Sequence, residues 1–267
     1  MLSAPGSITA DRLQLREVDA PAPGPGEIAI DVAACGVCRT DLQLVEGDLP
    51  ARRLPIVPGH QVVGRVSAIG AGVDRWQLGD RVGVAWLAGA CGTCARCRAG
   101  DENLCDLAEF TGWDRDGGYA EAMVARADFA FLIPEAFSDV EAAPLLCGGV
   151  IGYRSLKISV IRPGGRLGLY GFGASALLAL QVARHWDCEV YVATRSTSER
   201  QRALEFGAVW AGGYDDAPPV GLDAAVTFAP VGSVVVAALR AIVPGGTVAI
   251  NAIHLDEVPA FDYDLLW

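Results

Sequence analysis

Eight cysteines and three histidines supply most of this chain's capacity to hold a soft metal ion. Cys91, Cys94, Cys97 and Cys105 are spaced C-x2-C-x2-C-x7-C in a Gly- and Arg-rich stretch. Four thiolates in one short segment close a tetrahedron around a zinc ion and leave no position for a substrate, which is the chemistry of a structural site. Two disulfides are the other pairing such a stretch allows. No signal peptide precedes it, however, and Cys-x-x-Cys pairs without an export signal usually hold metal. Cys38, His60 and Cys147 are far apart, in Cys38-Arg39-Thr40-Asp41, Pro58-Gly59-His60-Gln61 and Leu146-Cys147-Gly148-Gly149. Two thiolates and one imidazole are the ligand set of a catalytic zinc, which keeps its fourth position for water or an alcohol oxygen. Singly, each also reads as packing: a small buried Cys, a hydrogen-bonded His.

The elements that must position these groups fall into two grammars. Up to about Ala130 the chain reads as short strands between turn residues: Pro23-Gly24-Pro25-Gly26 punctuates before Glu27 to Ala34, and Val62 to Ile69 and Gly79 to Val84 look similar. This predicts an antiparallel, loop-rich β domain. From about Ser138, helices are expected over Asp139 to Leu146 and Gly149 to Ser159. Strands follow at Arg166 to Tyr170, Glu189 to Thr194, Ala208 to Ala211, Leu222 to Phe228 and within Val243 to Asn251, with helices over Ala174 to Trp186 and Ser198 to Phe206. Strands alternating with helices predict a doubly wound parallel sheet. The expected domains are 1–147, with a zinc lobe over 87–106, and 148–267.

Gly171-x-Gly173-x-x-Ala176 lies between the first strand and helix of that second domain. It is a dinucleotide fingerprint: the glycines let backbone amides approach a pyrophosphate, and the helix N-terminus adds partial positive charge. A carboxylate about 20 residues further on grips the ribose 2'-hydroxyl of NAD. Here the second strand runs into Thr194-Arg195-Ser196 with no acid at that point. A guanidinium flanked by hydroxyls suits a 2'-phosphate, so the sequence favours NADP over NAD.

With 267 residues, 52% of them hydrophobic, the chain can bury two cores. Its net charge of -11 argues against a nucleic-acid or anionic-membrane surface, and Lys157 is its only lysine. No apolar run reaches the roughly 18 residues of a membrane helix, and Met1 to Ala10 lacks the features of a secretory signal. Cytoplasmic residence is the expectation.

Taken together, Gly36-Val37-Cys38-Arg39-Thr40-Asp41-Leu42, Pro58-Gly59-His60-Gln61-Val62-Val63-Gly64, Gly79-Asp80-Arg81-Val82, the Cys91 to Cys105 lobe, Ala143-Pro144-Leu145-Leu146-Cys147 and Leu169-Tyr170-Gly171-Phe172-Gly173 resemble the zinc-dependent medium-chain alcohol dehydrogenases. The resemblance implies a chaperonin-10-like barrel from which the zinc lobe projects, joined to a Rossmann domain. It also implies one catalytic zinc held by Cys38, His60 and Cys147 and one structural zinc in the lobe. Thr40 would begin a proton relay, Asp41 would orient His60, and Arg39 would touch the cofactor pyrophosphate. Trp86 and Trp113 fall where relatives line the substrate cleft, although core packing explains each equally well. Cys35 and Cys188 read as packing residues.

The sequence departs from the family pattern at Gln61, where many members carry Glu, and at Ile151, where many relatives place a Thr near the nicotinamide. The family continues beyond the position of Trp267, so the expectation is a member truncated at the C-terminus whose Rossmann sheet lacks its last strand. Homo-oligomers are implied for the full-length family, and the oligomeric state of this chain is not read from its sequence. Three functions compete: an NADP-favouring zinc alcohol dehydrogenase acting on small alcohols or aldehydes, a truncated non-catalytic zinc-binding relative, and another medium-chain carbonyl or enal reductase. Retention of all seven zinc ligands disfavours the third.

Overall fold

A computed structural model describes residues 1–252 and 254–265. The chain divides into two compact units, Met1–Cys147 and Gly148–Trp267.

The first unit contains β1 (Glu27–Cys35), α1 (Arg39–Glu46), β2 (Val62–Ile69), β3 (Arg81–Val84), β4 (Leu87–Gly89), α2 (Ala95–Arg98), β5 (Glu109–Phe110), β6 (Ala122–Arg126), β7 (Ala130–Leu132) and α3 (Asp139–Ala142). Five of these strands form an antiparallel sheet in the order β6-β1-β2-β3-β7. Register shifts at Ala29/Ile30 and Val32/Ala34 interrupt the long β1–β2 ladder, and such bulges increase local twist and let a sheet curl. Adjacent residues of β2 serve opposite faces, as a two-residue period requires. Val62 joins Ile28, Ile30, Val82, Val84 and Met123 in one core, whereas Val63 packs with Ile133, Ala142, Ala143 and Leu146 in another. Strands β4 and β5 form a separate two-stranded ribbon.

The second unit runs α4 (Gly148–Ile158), β8 (Arg166–Tyr170), α5 (Ala174–His185), β9 (Glu189–Ala193), α6 (Thr197–Glu205), β10 (Trp210–Gly212), β11 (Leu222–Thr227), α7 (Gly232–Ala241) and β12 (Ile242–Ile250). Its parallel sheet has the order β10-β9-β8-β11-β12, the 3-2-1-4-5 sequence of a Rossmann sheet, with the order reversing between β8 and β11. Leu167, Leu169, Val190, Val192, Ala224 and Val226 pack with α4 and α5 through Leu156, Ala176, Ala179, Leu180 and Ala183. Tyr170, Tyr191, Ala193 and Ala225 face the other way, against Val234 and Ala238 of α7. Burying each large aliphatic side chain on such a sheet contributes about 1.5–3 kcal/mol.

Two local expectations shift. The helix read over Asp139 to Leu146 is α3 followed by a tighter 3-10 turn, Ala143–Leu146, because Pro144 cannot donate the amide an α-helix needs at that point. The third parallel strand begins at Trp210 rather than Ala208, since Ala208 still closes α6 by donating to the Ala203 carbonyl at 2.9 Å. Helices α1 and α7 carried no expectation, α7 because its Val234-Val235-Val236 run has strand-like composition. No described helix is long and apolar enough to cross a membrane.

Asp223 of β11 ties the start of β8 in place. It accepts from the Arg166 amide at 2.7 Å and from the Arg166 guanidinium at 2.9 and 3.3 Å. These bonds hold its carboxyl below the usual carboxylate range. With the folded value below the unfolded one of about 3.9, the pair's contribution is complete above that pH and is lost as the pH falls through the folded value. Asp223→Asn should therefore lower the urea midpoint at pH 7 and shrink the difference between midpoints at pH 7 and pH 3. An unchanged acid dependence would rule this pair out as a source of acid sensitivity.

Candidate metal centres and cofactor loop

Helix α1 fixes one metal-type cluster. Cys38 is its N-cap, and Asp41, three residues on, closes a capping box by accepting from the Cys38 amide at 2.9 Å. The positive end of a helix dipole favours a thiolate there. Asp41 Oδ1 also accepts from the Gly59 amide and from His60 Nδ1, both at 3.1 Å. Because Nδ1–H is committed to a carboxylate, the free imidazole nitrogen is Nε2. Gly59 stands at φ +97°, and a Cβ there would meet the Tyr119 ring at 2.6 Å and Cys35 Sγ at 2.9 Å. Only glycine permits this turn to deliver His60, which is 1% exposed.

The 3-10 turn after α3 brings in Cys147, whose sulfur lies 3.9 Å from that of Cys38. Ligand atoms of Cys38, His60 and Cys147 all lie within 4.8 Å of one another. A tetrahedral zinc with Zn–S bonds of about 2.3 Å separates its sulfurs by about 3.8 Å, so the donor set and its spacing fit that ion. Cys38 is pulled down to about 4, first by the Cys147 thiol and then by His60, while the Cys38 sulfur and burial push Cys147 up. Asp41 is held below the usual range; burial opposes this, but His60 and the Cys38 amide outweigh it. Thr40, buried in the first turn of α1, has its hydroxyl 3.8 Å from Cys38 Sγ. Arg39 opens the helix with an exposed side chain.

Cys91, Cys94, Cys97 and Cys105 form the second cluster, again with sulfurs within 4.8 Å. The separations Cys91–Cys97 and Cys94–Cys97 are 3.8 and 3.5 Å, and no disulfide joins them. Backbone amides point at the sulfurs: Cys94 N at Cys91, Cys97 N at Cys94, and Cys91 N and Leu107 N at Cys105, at 3.3–3.5 Å. Amide bonds from Thr93 and Cys94 draw the Cys91 thiol down to about 6. Burial and the neighbouring sulfurs push Cys97 up to about 12. Four sulfurs this close ionise together only beside a cation, and the all-thiolate set with no open side suits a structural zinc.

An aromatic wall flanks His60. Trp86 meets the imidazole edge-on at 4.9 Å and stacks on Phe110 at 5.0 Å and on Trp113 at 5.8 Å. The Arg52 guanidinium lies 3.7 Å above Trp113 and is paired with Asp114 at 3.1 Å. Sequence reasoning singled out Trp86 and Trp113 but missed Phe110 and Arg52. Phe110 arrives through the β4–β5 pairing of Leu87 with Phe110, and no spacing along the chain announces it.

In the second unit, Gly171 follows β8 at φ +92°, where a Cβ would approach the Ala229 amide nitrogen to 2.9 Å. Gly173 is the N-cap of α5, with no side chain capping the helix and open space where its Cβ would be. Ala176 is fully buried against the sheet, so the third slot of the fingerprint serves close helix–strand packing. At the end of β9, Arg195 is exposed and Ser196 caps α6 by accepting from the Glu199 amide at 3.3 Å. Thr194 differs from the expectation of a free hydroxyl: it is 1% exposed and donates to Glu199 Oε2 at 2.6 Å. The sequence has no acid at this strand end, but the first turn of α6 folds one back to it.

Residues 24–135 match the model of the alcohol dehydrogenase GroES-like domain. "Probable alcohol dehydrogenase AdhA" of Mycobacterium tuberculosis is 50% identical over 264 residues, covering 97% of this chain and 76% of the relative. Among solved structures, the cobalt- and zinc-bound thermostable alcohol dehydrogenase from Pyrobaculum aerophilum superimposes with a TM-score of 0.82 at 29% identity, over 96% of this chain and 78% of that one. CAD from Helicobacter pylori complexed with NADP(H) gives a TM-score of 0.82 at 26% identity, over 92% and 74%. With the two cysteine-containing clusters carried on a curled β unit and a fingerprint turn on a Rossmann sheet, these likenesses make the chain a member of the medium-chain alcohol dehydrogenase family.

Proposed function

We propose that the protein is a zinc-dependent alcohol dehydrogenase that transfers a hydride between a small alcohol or aldehyde and a nicotinamide cofactor, with NADP favoured over NAD. The observation that carries this reading is the meeting of Cys38, His60 and Cys147 beside a carboxylate already committed to His60 Nδ1. Cys38, His60 and Cys147 would hold a catalytic zinc with three protein donors, and Cys91, Cys94, Cys97 and Cys105 would hold a structural one with four. When bound, zinc supplies Lewis acidity that makes an alcohol hydroxyl easier to deprotonate, and the nicotinamide is the hydride acceptor.

The chain's own groups do the rest. Asp41 keeps the proton on His60 Nδ1 and so keeps Nε2 a donor atom. The Thr40 hydroxyl, close to Cys38, would accept the proton leaving the alcohol oxygen while releasing its own proton to solvent. Trp86, stacked on Phe110 and Trp113, gives the site a rigid flat wall suited to small or planar substrates. Amides at Gly171 and Gly173 receive the pyrophosphate, and Arg195 with Ser196 takes a 2'-phosphate.

Turnover of NADPH and NADH by the purified chain with a panel of small aldehydes tests the activity; no turnover with either would favour the non-catalytic reading. Cys147→Ala should reduce metal content from two zinc ions to one and abolish alcohol oxidation, whereas Cys94→Ala should chiefly lower the unfolding temperature. Full zinc content and activity in Cys147→Ala would make the catalytic assignment wrong. Asp41→Asn should weaken zinc affinity by about 10–100-fold, read by competition with a chromophoric chelator. Arg195→Asp should shift preference towards NAD, and an unchanged NADPH to NADH ratio would remove the 2'-phosphate argument.

A further inference from the structure

We infer that Glu199 is a cofactor-specificity residue: its carboxylate, tethered by Thr194, occupies the acid position that the sequence leaves empty at the end of β9, and it keeps NAD(H) usable against the pull of Arg195. The inference rests on the nicotinamide-cofactor reading above.

In a doubly wound sheet the residue following the second strand meets the adenosine ribose, where an acid accepts from the 2'-hydroxyl or an arginine takes a 2'-phosphate. The second strand here is β9, and the residue after it is Thr194. Its hydroxyl is turned inward and donates to Glu199 Oε2 at 2.6 Å. The Glu199 amide is held by Ser196 Oγ at 3.3 Å, which fixes the first turn of α6. Arg200 Nε donates to the Thr194 carbonyl at 2.7 Å, and its terminal nitrogen to the Arg195 carbonyl at 3.3 Å. Arg200 therefore fixes the backbone of the loop.

The strand end thus carries two opposed determinants. Arg195, exposed, suits a phosphate dianion. Glu199 is only partly buried, and one of its oxygens is shared with Thr194. A carboxylate has about four lone-pair sites, so acceptor capacity remains for a ribose hydroxyl. The same negative charge repels a 2'-phosphate, and in a half-buried loop that repulsion is screened less than in water. Cofactor choice is then a balance between Arg195 and Glu199.

The test is calorimetric titration of the intact chain with ADP-ribose and with 2'-phospho-ADP-ribose, which separates binding from turnover. Glu199→Gln keeps an oxygen for Thr194 and removes the charge. It should tighten 2'-phospho-ADP-ribose by about tenfold and weaken ADP-ribose by about threefold, with the unfolding temperature held. Thr194→Val frees the carboxylate and should weaken ADP-ribose. If both variants leave the ratio of the two affinities within about twofold of the unaltered chain, the inference is overturned while the cofactor reading stands. If the unaltered chain binds neither nucleotide, both fall.

Discussion

Sulfur atoms packed to 3.5–3.9 Å cannot all carry charge unless a cation sits among them. The first unit meets this constraint twice. In the lobe, backbone amides aimed at the sulfurs offset part of the repulsion and shape four thiolates into a closed set. At the other cluster, two sulfurs are joined by an imidazole, so three protein donors gather there in place of four. The same physical problem, solved with four protein donors in one place and three in another, separates a site suited to structure from one suited to chemistry.

The three-ligand cluster depends on elements that contribute no metal-type atom. The capping box at α1 sets Cys38 and Asp41 together, so the carboxylate that closes the helix end also orients His60. Gly59 lets the backbone turn against Tyr119 without a side chain in the way. Pro144 tightens the turn leading to Cys147. Behind these lie the two cores that the opposite faces of β2 bury, so that loss of packing under Val62 or Val63 would move the loop carrying His60.

The fingerprint turn of the second unit follows another logic, in which fixed backbone matters more than side-chain chemistry. Gly171 and Gly173 are chosen for what they lack, and Ala176 for how closely it lets α5 approach β8. Side-chain charge gathers at the end of β9, where the exposed Arg195 and the Thr194-bonded carboxylate of Glu199 lie within five residues. A helix N-terminus that folds back onto its preceding strand turns a short stretch of sequence into a local electrostatic balance.

Much of this was legible along the chain. The lobe is local: four cysteines within fifteen residues need no distant element to bring them together. The parallel strands were legible as short apolar runs, because strands buried on both faces have no polar side to present. The antiparallel unit was legible as alternation and turn residues, and the fingerprint as glycines between strand and helix. What only the tertiary structure decided were contacts closed by long-range pairing or by a turn that reverses direction. Phe110 and Arg52 join the wall beside His60 through loop and ribbon geometry with no periodic trace. Glu199 reaches Thr194 because the first turn of α6 folds back over the strand end, which changes an acid-free sequence position into an acid-bearing site. Residue types and local spacing determine which chemistry is available; the folded backbone determines which groups meet, because one loop or turn can close a distance that sequence separation does not encode.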